Sequence, residues 1–586
     1  MTRSIRTCLC LALLLLVRSV SVAQSRATTG DLTGVALDQS KAVLPGVVVT
    51  ATSMDTNLIR SSTTGETGRF SLPALPPGSY TLRAELPGFA PRVLDQVIVT
   101  LGSAIDVELM LTLAGTQEAV LVAADSPIVA IGKTAIASVV SQAQIENLPI
   151  NGRNFISFSI ITPGVTTDRT PQQGASATSG LTFAGQRARS NNITVDGVDN
   201  NDQSVGSVRA IFSQEAVREF QVLTNSYSAE FGRASGGVVN IITRSGANTP
   251  AGNAFWYFRD ETLDAKEHFK KFDPFGAAIT RDKAPYGQQQ FGGTLGGPIA
   301  RDRTFFFLSF ERLDIEANNF VTIDDATPVT VFGQSFGTPA AILRRAGFPV
   351  ETGNVPYAVA ANQFLAKGDQ AFSATHNLAV RYNYAGALNE NIEPFGGIVA
   401  RSRGGALDST DHMVAAAYTV VLSSTIVNEL RFEYAKRDHS INALDPRCGG
   451  ACVSDDQGGP TLEIPGVASV GRQRFTPQIR HGRLYQALDT LSVYRGPHQL
   501  KAGFDFRHGQ APGGSLPLHF GGRYIFQPIT AALAPLLGLP GPISAVQALA
   551  LNLPLAYVQG YGNPLTDYTS SDVSLFAQTT GASHRN

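Results

Sequence analysis

From residue 250 onward the chain alternates apolar and polar residues over stretches of about ten, with many aromatics at the apolar positions. GNAFWYFRD, RTFFFLSFERL, HNLAVRYNYAG, HMVAAAYTVVL and TIVNELRFEYAKR all read this way. In HQLKAGFDFRHG, Leu500, Ala502, Phe504 and Phe506 stand against Lys501, Gly503, Asp505 and Arg507. A period of two puts the two sets on opposite faces of a strand. The stretch before it, YQALDTLSVYRGPH, predicts the first arm of a hairpin turning at Arg495-Gly496-Pro497. Strands of this length and pattern suit a membrane barrel, whereas a soluble β-domain has shorter ones. Helices cannot take that part. The most apolar stretch, ITAALAPLLGLPGPISAVQALALNLPLAY, is cut by Pro535, Pro540, Pro542 and Pro554. Only helices and closed barrels satisfy the backbone in lipid, so a chain of this kind enters a membrane as strands.

The N-terminus predicts export. Arg3 and Arg6 precede the apolar run Cys8–Val17, and Ser21 and Ala23 supply small residues before a cut, so residues 1–23 read as a signal peptide. That leaves one cysteine pair, Cys448 and Cys452, around two glycines. In an exported chain this spacing favours a small-loop disulfide over zinc, for which no further Cys or His lies near in sequence. Lys plus Arg is 46 and Asp plus Glu is 47, without a basic stripe, so no nucleic-acid partner is expected. With 586 residues, several domains are expected, and 57 glycines and 32 prolines suit short strands and turns.

Residues 30–113 place short strands between turn signals, which predicts a sandwich. In LPPGSYTLRAEL, Tyr80, Leu82 and Ala84 fall on one face and Thr81, Arg83 and Glu85 on the other. Between 131 and 246 a little helix mixes with strands. Ser141 caps a short helix ending before Pro149, and Gln214–Arg218 predicts another that leads into a strand. The stretch NNITVDGVDNNDQ, residues 191–203, has the composition of a calcium loop. Counted from Asp196, however, Val198 and Asn201 stand where an EF-hand needs a ligand and a glycine. A turn reading stands, with Asp196-Gly197 and Asn200-Asn201 tolerating left-handed backbone and side-chain bonding to their own backbone, and a calcium site of another kind stays open. Gly232, Gly236 and Gly237 fit close backbone approach or bulges, with ordinary turns as the other reading.

The motif TGETGRFSLPALPPGSYTLRAELPGF resembles the carboxypeptidase regulatory-like domain, a transthyretin-like sandwich. GQRARSNNITVDGVDNND and VREFQVLTNSYSAEFGRASGGVVNIITRSGAN resemble the plug of TonB-dependent outer-membrane receptors, more narrowly the Oar-like group, which carries such a sandwich in front of its plug. GNAFWYFRDETLDA and QFGGTLGGPIARDRTFFFLSFERL are similar to that group's first barrel strands. DTLSVYRGPHQLKAGFDFRHG and YVQGYGNP continue the likeness. The resemblance implies a mainly β chain: signal peptide 1–23, transthyretin-like β-sandwich 24–115, small α+β plug domain 116–246, and transmembrane antiparallel β-barrel 247–586. It implies a plug signature at Asn191, Asn192, Asp196, Gly197, Asp199, Glu230, Gly232, Gly236, Gly237 and Asn240, structural or lining a ligand path. QEAVLVAAD resembles a TonB box, with Glu118, Val120 and Val122 pairing as a strand with the partner.

The expected function is energy-coupled uptake of an unidentified extracellular ligand across the cell outer membrane, with a TonB-type periplasmic protein and outer-membrane lipid as partners. The alternative is a surface-exposed binding or adhesion protein without transport. No enzyme, cofactor or metal is expected. H-E-x-x-H, Walker and G-x-G-x-x-G motifs are missing, and none of the nine histidines has the H-x-x-E spacing of zinc carboxypeptidases. His268 beside Glu267 and His412 beside Asp411 are single pairs. About nine or ten long strands are recognisable where transporters of this sort have about 22, so a truncated or frameshifted form, its barrel incomplete at the C-terminal end, is expected. An even-numbered smaller barrel is the other reading.

Overall fold

The computed structural model describes residues 28–114, 136–148, 150, 153–167, 180–203, 208–209, 211–265, 271–272, 278–279, 283–393, 395–444, 460–495 and 498–581. The signal peptide, the TonB-box candidates Glu118, Val120 and Val122, and the pair Cys448 and Cys452 lie outside the described residues.

The first unit is a two-sheet sandwich. One sheet sets Gly30–Leu37 between Arg69–Leu75 and Ala104–Met110; the other orders Ile59–Thr63, Val48–Ser53, Gly78–Glu85 and Arg92–Val99. Alternation sorts the side chains: Tyr80, Leu82 and Ala84 join Leu32, Val49 and Leu109 in the core, while Arg83 and Glu85 stay exposed.

The plug is built on a five-stranded sheet, ordered Val198–Asp199, Asn192–Val195, Val238–Thr243, Val217–Asn225 and Ile136–Val140. Asn192–Val195 runs parallel to Val238–Thr243, and the other pairings are antiparallel. Ser141 caps the helix Gln142–Asn147 in a reciprocal box with Gln144, which satisfies two backbone donors that a helix start leaves free. The second expected helix is a single 3-10 turn, Gln214–Ala216, because Val217 already belongs to the next strand. Phe155, Phe158, Phe183 and Phe220 fill the plug core, with the Phe155 and Phe212 rings 4.8 Å apart.

Ten long antiparallel strands form one curved wall in sequence order, from Ala251–Asp260 to Leu565–Gly581. Inward and outward residues alternate. On Ile426–Ala443, Glu429, Arg431 and Glu433 are buried toward the plug, while Phe432 and Tyr434 are exposed on the outer face. On His498–Ser515, Lys501 is buried while Leu500, Phe504 and Phe506 face out. Arg495 pairs with His498 across the expected hairpin. Most wall strands run 15 to 19 residues, longer than the sequence pattern alone indicates. The apolar alternation marks only the part that meets lipid, and backbone pairing continues beyond it. Among the described residues the first and last wall strands do not pair with each other, so the sheet is open.

One end of the wall has short turns and carries the sandwich; the other carries long connections that fold into a cap with its own core. Leu343, Phe348, Leu462, Val470, Phe526 and Leu549 meet there. The stretch interrupted by four prolines lies in this cap, with a helix at Ala545–Ala550 opened by a Ser544 capping box. Ala556–Val558 likewise belongs to a four-stranded cap sheet rather than to the wall.

Candidate functional site: the seam between plug and wall

The stretch 191–203 runs along the plug edge that faces the wall. Asp196 and Gly197 have φ of 51° and 79° and close a two-residue hairpin between Val195 and Val198. Two positive φ values in such a loop make a type I′ turn, which Asp-Gly favours. Gly197 also lies against the wall, where a Cβ would stand 2.9 Å from Arg431 Nε. Of the left-handed backbone and local side-chain bonding expected at Asn200-Asn201, the first is not adopted, since neither residue has a positive φ. Asn201 works through its side chain instead. Its Nδ2 donates to Asn192 Oδ1 (2.8 Å) and the Ile193 carbonyl (3.1 Å), and its Oδ1 accepts from the Ile193 amide at 3.1 Å.

Each of the three aspartates meets a different cation. Asp196 accepts from the Thr243 amide (2.9 Å) and hydroxyl (2.7 Å) and lies 3.1 Å from Arg381 Nη1 on the wall. Burial pushes the Asp196 carboxyl up, but Lys367, Arg381 and the Thr243 bonds outweigh it and hold the group below its ordinary range. Asp199 accepts from Arg233 at 2.7 Å, lies 3.6 Å from the wall's Arg507, and donates its amide to Gln486 at 2.9 Å. Asp202 pairs with Arg437 at 2.7 Å, and the same guanidinium lies 3.3 Å from Asp411. Arg209, from the plug, is bonded to Glu433 on the wall and reaches the Asp199 carbonyl at 3.0 Å.

The other signature residues divide by role. Glu230 takes two bonds of 2.8 Å from Lys501, tying plug to wall. Asn191, Asn192 and Asn240 act within the plug, bonding Leu181 O, Gly232 O and Thr194 Oγ1 at 2.8, 2.9 and 2.9 Å. A Cβ on Gly236 would stand 2.4 Å from Asn191 Oδ1, and one on Gly237 2.1 Å from the Phe183 ring; one on Gly232 meets nothing within 4 Å. Sequence reasoning missed the wall partners Arg381, Glu433, Arg437, Lys501 and Arg507. Their signal was present as charges at alternate positions between outward aromatics, as in NELRFEYAKRDH.

Chemically, the seam is a set of charge-assisted hydrogen bonds around a plug whose own core is apolar. Such contacts position strongly, yet water can replace them if the plug shifts.

Comparison with known proteins agrees with this architecture. The family described as "Outer membrane beta barrel domain" matches residues 242–334 and 345–580, more than half of the chain. "Carboxypeptidase regulatory-like domain" matches 31–112, and "TonB-dependent Receptor Plug Domain" matches 131–239. The TonB-dependent transporter Oar of Myxococcus xanthus is 31% identical over 340 residues, covering 54% of this chain and 30% of that protein. This chain therefore spans well under half of that relative's length. The outer membrane transporter YddB of Escherichia coli aligns at 11% identity and a TM-score of 0.48, over 76% of this chain and 55% of its own. The ferric enterobactin receptor PfeA of Pseudomonas aeruginosa aligns at 13% and 0.44, over 76% and 55%. With its regulatory-like sandwich, plug and wall in this order, the chain belongs to the TonB-dependent receptors of the outer membrane.

Proposed function

We propose that the chain imports an unidentified ligand across the outer membrane, driven by a TonB-type partner in the periplasm. The observation that carries this reading is the polar seam. A plug with an apolar core, which Phe307 and Leu365 of the wall join, sits in a socket of ion pairs, an arrangement suited to displacement without unfolding. The transporter activity named for the Myxococcus relative supports it. We assign residues 1–23 to export, 24–115 to the sandwich, 116–246 to the plug and 247–586 to the wall. Glu118, Val120 and Val122 are the strand the partner grips, by edge pairing. Of the signature residues, Asp196, Asp199 and Glu230 keep the plug seated until it is pulled. We assign Cys448 and Cys452 to a small-loop disulfide. The adhesive alternative gains no observation of its own.

Deleting residues 117–124 is expected to abolish capture of the periplasmic partner's C-terminal domain by the full chain in detergent. Capture that survives the deletion overturns the assignment of the box. Uptake that continues in cells lacking the partner overturns energy coupling itself.

A further inference from the structure

A guanidinium taken out of water needs an anion beside it, because an unpaired buried charge costs several kcal/mol. Arg60 lies on the sandwich strand Ile59–Thr63, where alternation turns it inward, and it is only 6% exposed. Its Nη1 reaches the neighbouring Ile59 carbonyl at 3.4 Å, and its Nε has no hydrogen-bond partner among the described residues. No carboxylate forms an ion pair with it among those residues. Burial lowers the proton affinity of this group, and Tyr80 offsets the effect in part. Arg218 of the plug faces the same sandwich surface. It stands 3.3 Å from Asp55, and a Cβ on Gly78 would lie 2.9 Å from its Nη2. Of the two guanidinium groups, Arg218 has a carboxylate beside it and Arg60 has none among the described residues.

These residues line a cavity of about 260 Å³ between sandwich, plug and wall. Thr29 lines it too, 8% exposed, its hydroxyl without a partner among the described residues. Lys367, Arg381 and Arg431 of the wall border the cavity from the other side, together with the carboxylates of Asp196, Asp302 and Asp369. The volume exceeds several times the roughly 30 Å³ that one water occupies in the liquid.

We propose that this cavity binds a small oxyanion, a phosphate or a carboxylate, held by Arg60 and Thr29 of the sandwich together with Arg218 of the plug. The ligand supplies the counter-charge that Arg60 lacks. Because its holders come from two units, it also clamps the sandwich across the short-turn end of the wall. Neither the transported ligand nor the partner that pulls the plug enters this inference.

The test titrates inorganic phosphate and acetate, each up to about 10 mM, into the full chain in detergent and follows heat and thermal stability. The wild type is expected to bind at least one of them and to gain stability from it. Arg60→Gln is expected to weaken that binding about tenfold or more, and Thr29→Val severalfold, while Arg83→Gln, on an exposed pair with Glu85, changes nothing. In anion-free buffer Arg60→Gln should be at least as stable as the wild type, since it removes an unpaired buried charge. The proposal is overturned if neither anion binds the wild type, if Arg60→Gln binds as the wild type does, or if Arg60→Gln unfolds in anion-free buffer.

Discussion

Within the plug, Phe155, Phe158, Phe183 and Phe220 pack against Ile193, Val222 and Ile241 with almost no exposure, joined from the wall by Phe307 and Leu365. Along its rim, Asp196, Asp202 and Glu230 face Arg381, Arg437 and Lys501 of the wall. The two regions respond differently to water. Exposing the core costs free energy in proportion to its apolar area, and nothing in solvent replaces the lost packing. Opening the seam exchanges hydrogen bonds to protein for hydrogen bonds to water, which leaves a much smaller net loss. A body built this way keeps its shape while its seat is breakable.

That contrast can be broken most directly in the core. Phe220→Ala removes a ring with no exposure and is expected to cost about 3–5 kcal/mol, mostly as a cavity. Urea unfolding read by proteolysis within 136–243 should show the plug, rather than the wall, giving way first. A plug as resistant as the wild type would mean that the seam, not the core, holds it together.

At the seam, Arg381→Met leaves the Asp196 carboxylate without its guanidinium, and a cost of about 2–3 kcal/mol is expected. Adding Asp196→Asn should recover much of that, because no uncompensated charge then remains. The effect also depends on pH. The folded carboxyl of Asp196 lies below its ordinary value near 3.8, so the stability it contributes is complete above that pH and is lost as the pH falls through the folded value. The gap between wild type and Arg381→Met should therefore narrow in acid. A gap that is flat from neutral pH down to about pH 2 would show that the pair contributes through packing rather than charge.

How far the sequence exposes these two regions differs for a physical reason. Strands with one wet or lipid-facing side carry a period of two, so the faces of Tyr80, Leu82 and Ala84, and of Leu500, Phe504 and Phe506, were legible directly. The Asp196-Gly197 turn was legible because its backbone demand is local. Asn201 was not: its bonds to Asn192 and Ile193 substitute for the left-handed turn its type suggested. The wall cations could be seen as alternate charges, but their plug partners lie as far as 271 residues away, for Lys501 and Glu230, and no spacing rule links them. The cap was invisible because its core gathers side chains from separate connections. Its helices, Pro339–Arg345 and Ala545–Ala550, are too short to show a helical period.

The finest comparison uses glycines five residues apart in the same signature. At Gly237 a methyl group would stand 2.1 Å from the Phe183 ring, which is itself fully buried and cannot swing aside. Gly237→Ala must therefore displace the core, at an expected cost of about 1–3 kcal/mol. At Gly232 a methyl group meets nothing within 4 Å, and its φ lies outside the left-handed range, so Gly232→Ala should stay within about 0.5 kcal/mol of the wild type. Measured side by side in urea, the pair separates a glycine the packing requires from one it tolerates. If Gly232→Ala proves as damaging as Gly237→Ala, then Gly232 serves the plug in motion rather than at rest, and the seam contains a hinge that the seated conformation does not display.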